Sequence, residues 1–152
     1  VGSEMCIRDS LLITDNFNLD TLTEPMEMFA RADLLRMQRQ FDDARATLDS
    51  LEEAHPGHPL EDESMMMSAD MFLEQGRLDT AMSIYREVVD LHFDDITGDD
   101  ALFHLADLTH RTLLDPETAQ GLYEQLLFDF PGSLYAVEAR KRFRELRGDQ
   151  LE

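Results

Sequence analysis

A repeat of 37 residues limits this chain to a small number of folds. Three octets align at that offset: MFARADLL at 28–35, MMMSADMF at 65–72 and LFHLADLT at 102–109. Each octet contains an alanine followed by an aspartate, and its apolar residues recur at helical spacing. The shared pairs are Ala32 and Asp33, Ala69 and Asp70, and Ala106 and Asp107. A period of this length is typical of proteins in which each repeat is one supersecondary unit.

A second apolar pattern follows each octet. Its first alanine lies 12 residues after the alanine of the octet in the first two repeats and 13 residues after it in the third, so one residue is inserted there. Because a small residue on each of two antiparallel helices lets their backbones approach closely, the pattern predicts tandem helix pairs in an all-α solenoid. The residues of this second pattern are Ala44, Leu48 and Leu51; Ala81, Tyr85 and Val88; and Ala119, Tyr123 and Leu126.

These motifs resemble the tetratricopeptide repeat (TPR). That family has a small residue in its first helix, an alanine four residues before an aromatic in its second helix, and a proline after it. The corresponding segments here are ARATL, AMSIY and AQGLY, with Pro56 and Pro131. The resemblance covers about 25–147. Two features depart from the family pattern. The period exceeds the family's roughly 34 residues, which lengthens turns such as HPGHPLEDES. In the first repeat, Met28 and Arg31 replace the usual aromatic and leucine of the first helix.

The resemblance implies an α-solenoid of about three helix pairs and a C-terminal capping helix. An apolar face at Ala136, Ala139, Phe143 and Leu146 opposite a charged face is typical of such a cap. The expected segments are 11–24 as a linker or remnant of a preceding repeat, 25–58 as TPR 1, 59–95 as TPR 2, 96–132 as TPR 3, 133–147 as the capping helix and 148–152 as a tail.

The first ten residues, VGSEMCIRDS, do not resemble the rest of the chain. Their reverse translation resembles a transposase-delivered sequencing adapter over nine codons and most of a tenth. We therefore expect residues 1–10 to be an unstructured artefact, and we exclude them from fold reasoning. Cys6, the only cysteine, lies in this stretch, so thiol chemistry contributes nothing to the remaining sequence.

The charge of the chain restricts its partners. There are 33 acidic and 13 basic residues, for a formal net charge of −20. Such a field repels nucleic acid and anionic lipid, and it favours basic partners, cations or a salty medium. The abundance of Asp and scarcity of Lys indicate either salt adaptation or an ordinary acidic surface. Five basic residues are concentrated near the end of the chain, where they complement a helix dipole: Arg140, Lys141, Arg142, Arg144 and Arg147.

The sequence contains no residue set that predicts catalysis. Neither a Ser/His/Asp arrangement, nor a phosphate-binding glycine loop, nor a paired-carboxylate motif is present, so we expect no enzyme activity and no cofactor. His55 and His58 are three residues apart in HPGH, but a metal site needs further matched ligands. The segment DNFNLD lacks the glycine and the distal glutamate of a calcium loop. We therefore expect no metal site.

The strongest candidate site is a ladder along the first helices of the repeats. The resemblance implies that these positions line the concave groove of the solenoid. There they would place apolar contacts beside carboxylates and favour basic ligands. The alternative is that the aspartates solvate an exposed face or cap neighbouring turns. The candidate groove residues are Phe29, Asp33, Met66, Asp70, Phe103 and Asp107.

We therefore expect a scaffold that binds a peptide or protein segment, without nucleic acid and without a membrane span in this segment. Two alternatives stay open: a structural spacer within a longer repeat protein, and an accessory domain of an enzyme with an upstream catalytic part. The ends of the chain resemble the C-terminal region of large bacterial TPR proteins. FPGSLYAVEA is similar to repeats of envelope-assembly and cell-division coordinators, which implies a periplasmic or exported protein. A truncated first repeat also predicts self-association.

Overall fold

A computed structural model of the chain describes residues 19–91 and 96–148. Residues 1–10, most of the expected linker and most of the tail lie outside the described residues. The described residues form seven helices and no strand, which confirms the all-α prediction. The helices are α1 (Leu19–Met37), α2 (Phe41–Ala54), α3 (Glu61–Glu74), α4 (Leu78–Leu91), α5 (Ile96–Arg111), α6 (Pro116–Asp129) and α7 (Ala136–Arg147).

The chain divides into two compact units, Val1–Leu60 and Glu61–Glu152. In the first unit, α1 packs against α2. In the second unit each helix packs against the next one, from α3 to α7, and α3 also contacts α5. Contacts between helices adjacent in sequence, together with a contact between two successive first helices, are typical of a helical repeat.

The first unit is organised around one small-residue contact. Ala32 on α1 and Ala44 on α2 are both fully buried, and Leu48 and Leu51 complete the core on α2. Helix α1 begins at Leu19, earlier than the start expected near residue 25. Pro25 lies inside this helix and is buried. Because an interior proline lacks a hydrogen-bond donor and usually ends or starts a helix, sequence reasoning does not extend the helix across it.

The second unit contains the larger core. The alanines that the repeat predicts at the helix contacts, Ala69, Ala81, Ala106 and Ala119, are all fully buried. Tyr85 and Tyr123, at the large-residue position of the second helices, are also fully buried. Ala139 on α7 belongs to the same cluster, and Phe143 and Leu146 pack against it. The inner face of α7 therefore covers the last helix pair, as predicted for a capping helix.

The two helices of each pair are joined by a tight turn with one left-handed residue. Arg39, Gly76 and Leu114 have φ of 60°, 73° and 55°. In the first two turns the backbone N–H of the next residue donates to a carbonyl five residues back, at 2.9 Å for Gln40 and 2.8 Å for Arg77. Such bonds satisfy carbonyls at the helix end. The third turn, between α5 and α6, has four residues rather than three, which confirms the inserted residue.

The turn between the first and second repeats uses both histidines of HPGH. His58 is buried, and its Nδ1 accepts a 3.0 Å hydrogen bond from the backbone N–H of Leu60. Its Nε2 lies 3.4 Å from a carboxylate oxygen of Glu52, and His55 Nε2 lies 3.5 Å from Glu24. These histidines therefore connect the turn to α1 and α2. Among the described residues, no three His, Cys, Asp or Glu side chains are arranged to hold a metal ion.

Candidate functional site

The six candidate groove residues lie on the first helices of the three pairs. Phe29 and Asp33 are on α1 in the first unit and are partly buried. Asp33 forms an ion pair with Arg36 one turn further along the helix, with 3.3 Å between Oδ1 and Nε. The other four residues are on α3 and α5 in the second unit, where their surroundings explain what each side chain does.

Asp70 on α3 binds a buried tyrosine. The Tyr85 hydroxyl donates to Asp70 Oδ1 at 2.5 Å, and Tyr85 itself is fully buried. Because a buried hydroxyl without a hydrogen-bond partner is costly, this carboxylate has a structural role. It links the first and second helices of the same pair.

Asp107 on α5 occupies the equivalent repeat position but binds cations. Its Oδ1 lies 3.0 Å from Arg111 Nε and also contacts Arg142 Nη1 from α7. Arg142 is only 8% exposed, and its Nε donates to Glu138 at 2.8 Å. A buried guanidinium needs charged partners to offset its lost hydration. Asp107 and Glu138 provide them, so Asp107 attaches the capping helix to the third pair.

The two apolar candidates of the second unit are largely covered by the chain itself. Met66 is 8% exposed and belongs to the buried core. Phe103 is partly buried, and the ring of Tyr135 stacks on it with centroids 4.4 Å apart. The guanidinium of Arg142 lies 5.7 Å from the Phe103 ring centroid. Phe103 therefore presents only part of its surface to a ligand.

His104, which the sequence analysis did not single out, lies on α5 near both Asp70 and Asp107. Its Nε2 is 3.2 Å from Asp100 Oδ1, and its ring stacks on Tyr85 with centroids 5.4 Å apart. The hydrogen bond to Asp100 raises the pKa of His104 above its usual value of 6.5, against the effect of burial. Asp70 and Asp107 raise this pKa further by their charge. The imidazolium is therefore favoured here.

Asp100 is the main partner of this histidine. Burial alone would raise the pKa of Asp100, but hydrogen bonds from His104 and Tyr135 outweigh it and lower the pKa below 3.8. The carboxylate form is therefore stabilised.

The same combination recurs one repeat later. Asp100 and His104 on α5 correspond, 38 residues on, to Glu138 and Arg142 on α7. In each case an acidic residue precedes a basic residue by one helical turn. The basic residue also lies near an aspartate of an earlier helix, which is Asp70 on α3 for His104 and Asp107 on α5 for Arg142. The i, i+4 spacing was visible in the sequence, but the position of its partner on another helix was not. Acidic and basic side chains therefore alternate along the second unit, in the order Asp70, His104, Asp107 and Arg142.

Comparison with known proteins identifies the repeat. A family model described as tetratricopeptide repeat matches residues 29–95, which include the pairs α1–α2 and α3–α4 apart from the start of α1. A search of curated proteins returned no match to the chain. None of the described helices combines the length and the apolar character that crossing a membrane requires. Residues 29–95, with their tandem helix pairs, are therefore similar to the tetratricopeptide repeat family.

Proposed function

We propose that this chain is a scaffold that binds a peptide or protein segment along the first helices of its repeats. The family generally mediates protein–protein interaction and is typically non-catalytic. The observation that carries the proposal is the recurrence of Asp33, Asp70 and Asp107 at one repeat position within a family of interaction modules. Tandem repeats present such positions as an extended surface.

We further propose that the preferred segment is basic. The chain has a net charge of −20, which attracts a cationic ligand and accelerates its association. The three aspartates also have cationic or hydroxyl partners of their own, so a lysine or arginine of a ligand would share these carboxylates. Charged groups shared in this way set specificity and association rate more than affinity.

A charge-neutralising variant tests this proposal. In Asp33→Asn/Asp70→Asn/Asp107→Asn, the amide that replaces the Asp70 carboxylate still offers an oxygen to the Tyr85 hydroxyl. Circular dichroism verifies that α7 stays folded after its contact with Asp107 is weakened. Fluorescence anisotropy against basic and acidic peptides of equal length should show weaker binding of the basic peptides only. Added salt should weaken the wild-type interaction, because exposed charges are screened beyond about 8–10 Å at physiological ionic strength.

A matched control separates the face from the overall charge. Asp43→Asn/Asp79→Asn/Glu117→Gln removes three exposed carboxylates from the second helices and changes the net charge equally. This control should bind basic peptides almost as the wild type does. If both triple variants lose affinity to the same extent, the aspartate positions are not a recognition element. If no peptide binds any variant, a spacer role replaces the scaffold.

A further inference from the structure

We propose that the outer face of α7 is a second interaction surface, separate from the proposed groove, which binds an acidic amphipathic helix of a partner protein. This surface, called the outer α7 face below, consists of Leu134, Val137, Arg140, Lys141 and Arg144. From Val137 onward its members recur at intervals of three and four residues, so they form one stripe along the helix.

Burial separates this stripe from the rest of the helix. Ala136, Ala139 and Arg142 are buried, and the side of α7 that carries them packs against the core of the second unit. On the opposite side Val137 is 76% exposed, and Leu134, just before the helix, is 95% exposed. The three cations of the stripe are exposed as well. Two large apolar side chains next to three cations thus remain in water.

The cations of this face are concentrated on one helix of a strongly acidic chain. Elsewhere Arg36, Arg45 and Arg111 each form an ion pair with a nearby aspartate. Within the described ranges, Arg140, Lys141 and Arg144 form no such pair, although acidic residues exceed basic ones by 33 to 13. The expectation that the helix dipole accounts for all the cations near the end of the chain is wrong for Arg140 and Lys141. They lie near the middle of α7, whereas Arg144 lies in its last turn.

The chemistry of the face specifies its partner. The three exposed cations are complementary to carboxylates, and the two adjoining apolar side chains are complementary to an apolar stripe beside those carboxylates. An acidic amphipathic helix offers both at helical spacing. An anionic membrane fits less well, because its extended plane would also meet the strongly acidic remainder of the chain, whereas a single helix contacts α7 locally within the screening length.

The size of the face predicts a weak interaction. A helix of 12 residues is about 18 Å long, so the buried area falls in the small, transient class of interfaces. We expect fast, salt-sensitive binding that depends on the cations for association and on Leu134 and Val137 for residence time.

The test uses the whole chain and a labelled acidic amphipathic peptide of about 20 residues with glutamates flanking a leucine stripe, which spans about 30 Å as a helix. Fluorescence anisotropy should show saturable binding that weakens with salt. Arg140→Glu/Lys141→Glu/Arg144→Glu should weaken it at least tenfold, and Leu134→Ser/Val137→Ser should weaken it with a smaller salt dependence. All substituted side chains are exposed, and circular dichroism verifies that the helices persist.

The controls separate this surface from the proposed groove. Leu134→Ser/Val137→Ser should bind the basic peptides of the groove assay as tightly as the wild type, and an acidic peptide of the same composition with a scrambled order should bind the wild type poorly. Equal binding of the acidic peptide to wild type and charge-reversed variant would overturn the proposal. Binding to anionic vesicles but not to the peptide would assign the face to a membrane. A dimer in sedimentation that the charge reversal dissociates, without peptide binding, would assign it to a second copy.

Discussion

At the scale of single residues, one repeat position serves different purposes in successive repeats. Asp33 pairs with its own helix, Asp70 accepts from a buried tyrosine, and Asp107 neutralises a buried arginine. Identical residues at identical spacing therefore do not imply one role. The neighbouring side chains, which come from other helices, determine what each carboxylate does.

The effects of substituting Asp107 and Arg142 on the free energy of unfolding should depend strongly on one another. Asp107→Asn weakens the partner of a buried guanidinium and should lower the free energy of unfolding by about 1–3 kcal/mol. Arg142→Met removes the buried charge and keeps an apolar side chain, so it should cost less. A double-mutant cycle from chemical denaturation should give a coupling energy of about 0.5–3 kcal/mol.

The partly exposed Asp33–Arg36 pair is the control, and its loss should cost about 0.2–0.5 kcal/mol. If the two changes at Asp107 and Arg142 add without coupling, Asp107 does not hold α7.

His104 should make the stability of the second unit depend on pH. The pKa of His104 is raised above 6.5 in the folded chain. The stability that its protonation contributes is therefore fully present below pH 6.5, and it is lost as the pH rises through the folded-state pKa. Asp100, whose pKa is lowered from 3.8, contributes above pH 3.8 and loses its effect as the pH falls further. The melting temperature of the wild type should therefore exceed that of His104→Gln most between pH 3.8 and 6.5.

The difference should be small, since the pair is partly exposed and such i, i+4 pairs contribute about 0.3–0.5 kcal/mol. In an Asp100→Asn background the effect of His104→Gln should largely disappear. A constant difference across the pH range would show that the histidine acts through packing.

At the scale of elements, the sequence predicted the helix pairs because their contacts depend on small residues. Ala32, Ala69 and Ala106 can be recognised by identity and spacing alone, and each is fully buried. The inserted residue of the third turn was visible for the same reason. The start of α1 was not, because Pro25 inside a helix contradicts the local rule.

The candidate site was less predictable than the fold. The three aspartates were identified, but their partners Tyr85 and Arg142 lie 15 and 35 residues away in sequence from Asp70 and Asp107. Which side chains from other helices reach a given carboxylate depends on how the pairs stack, and a single repeat pattern does not contain that information. His104 was missed because its equivalent one repeat earlier, Met67, is chemically unlike it.

The turns within the helix pairs should respond to glycine in opposite ways. Leu114 is 77% exposed with φ of 55°, a conformation that costs a non-glycine residue about 1–2 kcal/mol. Leu114→Gly should therefore stabilise the chain, by about 0.5–1 kcal/mol after the entropic cost of glycine. Arg39→Gly should gain less, because Arg39 also lies 5.3 Å from the Phe41 ring centroid.

Gly76→Ala is the reverse experiment. No atom lies within 4 Å of a Cβ at this position, so a loss of about 1 kcal/mol would arise from φ of 73° rather than from a clash. Chemical denaturation measures all three variants. A neutral Gly76→Ala would show that the turn relaxes at no cost.

At the scale of the whole molecule, the two units should differ in local stability. The core of Val1–Leu60 contains no buried aromatic among its described residues, whereas that of Glu61–Glu152 includes Tyr85 and Tyr123. Local opening requires less free energy where less apolar area is buried. Amide hydrogen exchange should therefore be faster in 19–60 than in 61–148. Uniform protection across 25–147 in a demonstrated monomer would contradict this difference.

Salt should stabilise the chain as a whole. Its net charge of −20 produces repulsion that added KCl or NaCl screens. Each kcal/mol of relieved repulsion should raise the melting temperature by about 2–4 °C for a chain of this size. The internal pair Asp107–Arg142 is less exposed and should be screened less. A melting temperature that stays flat from low to molar salt would exclude the salt-adaptation hypothesis.

The outer α7 face carries the only lysine of the chain, Lys141. A lysine-specific protease therefore has one peptide bond to cut, and that bond lies inside a helix. Proteases bind extended backbone, so cleavage requires α7 to open, and its rate follows the population of the opened helix when reclosing is fast. The rate at which the two fragments appear would therefore measure the opening of α7 without any label. A partner helix bound to the face should slow their appearance.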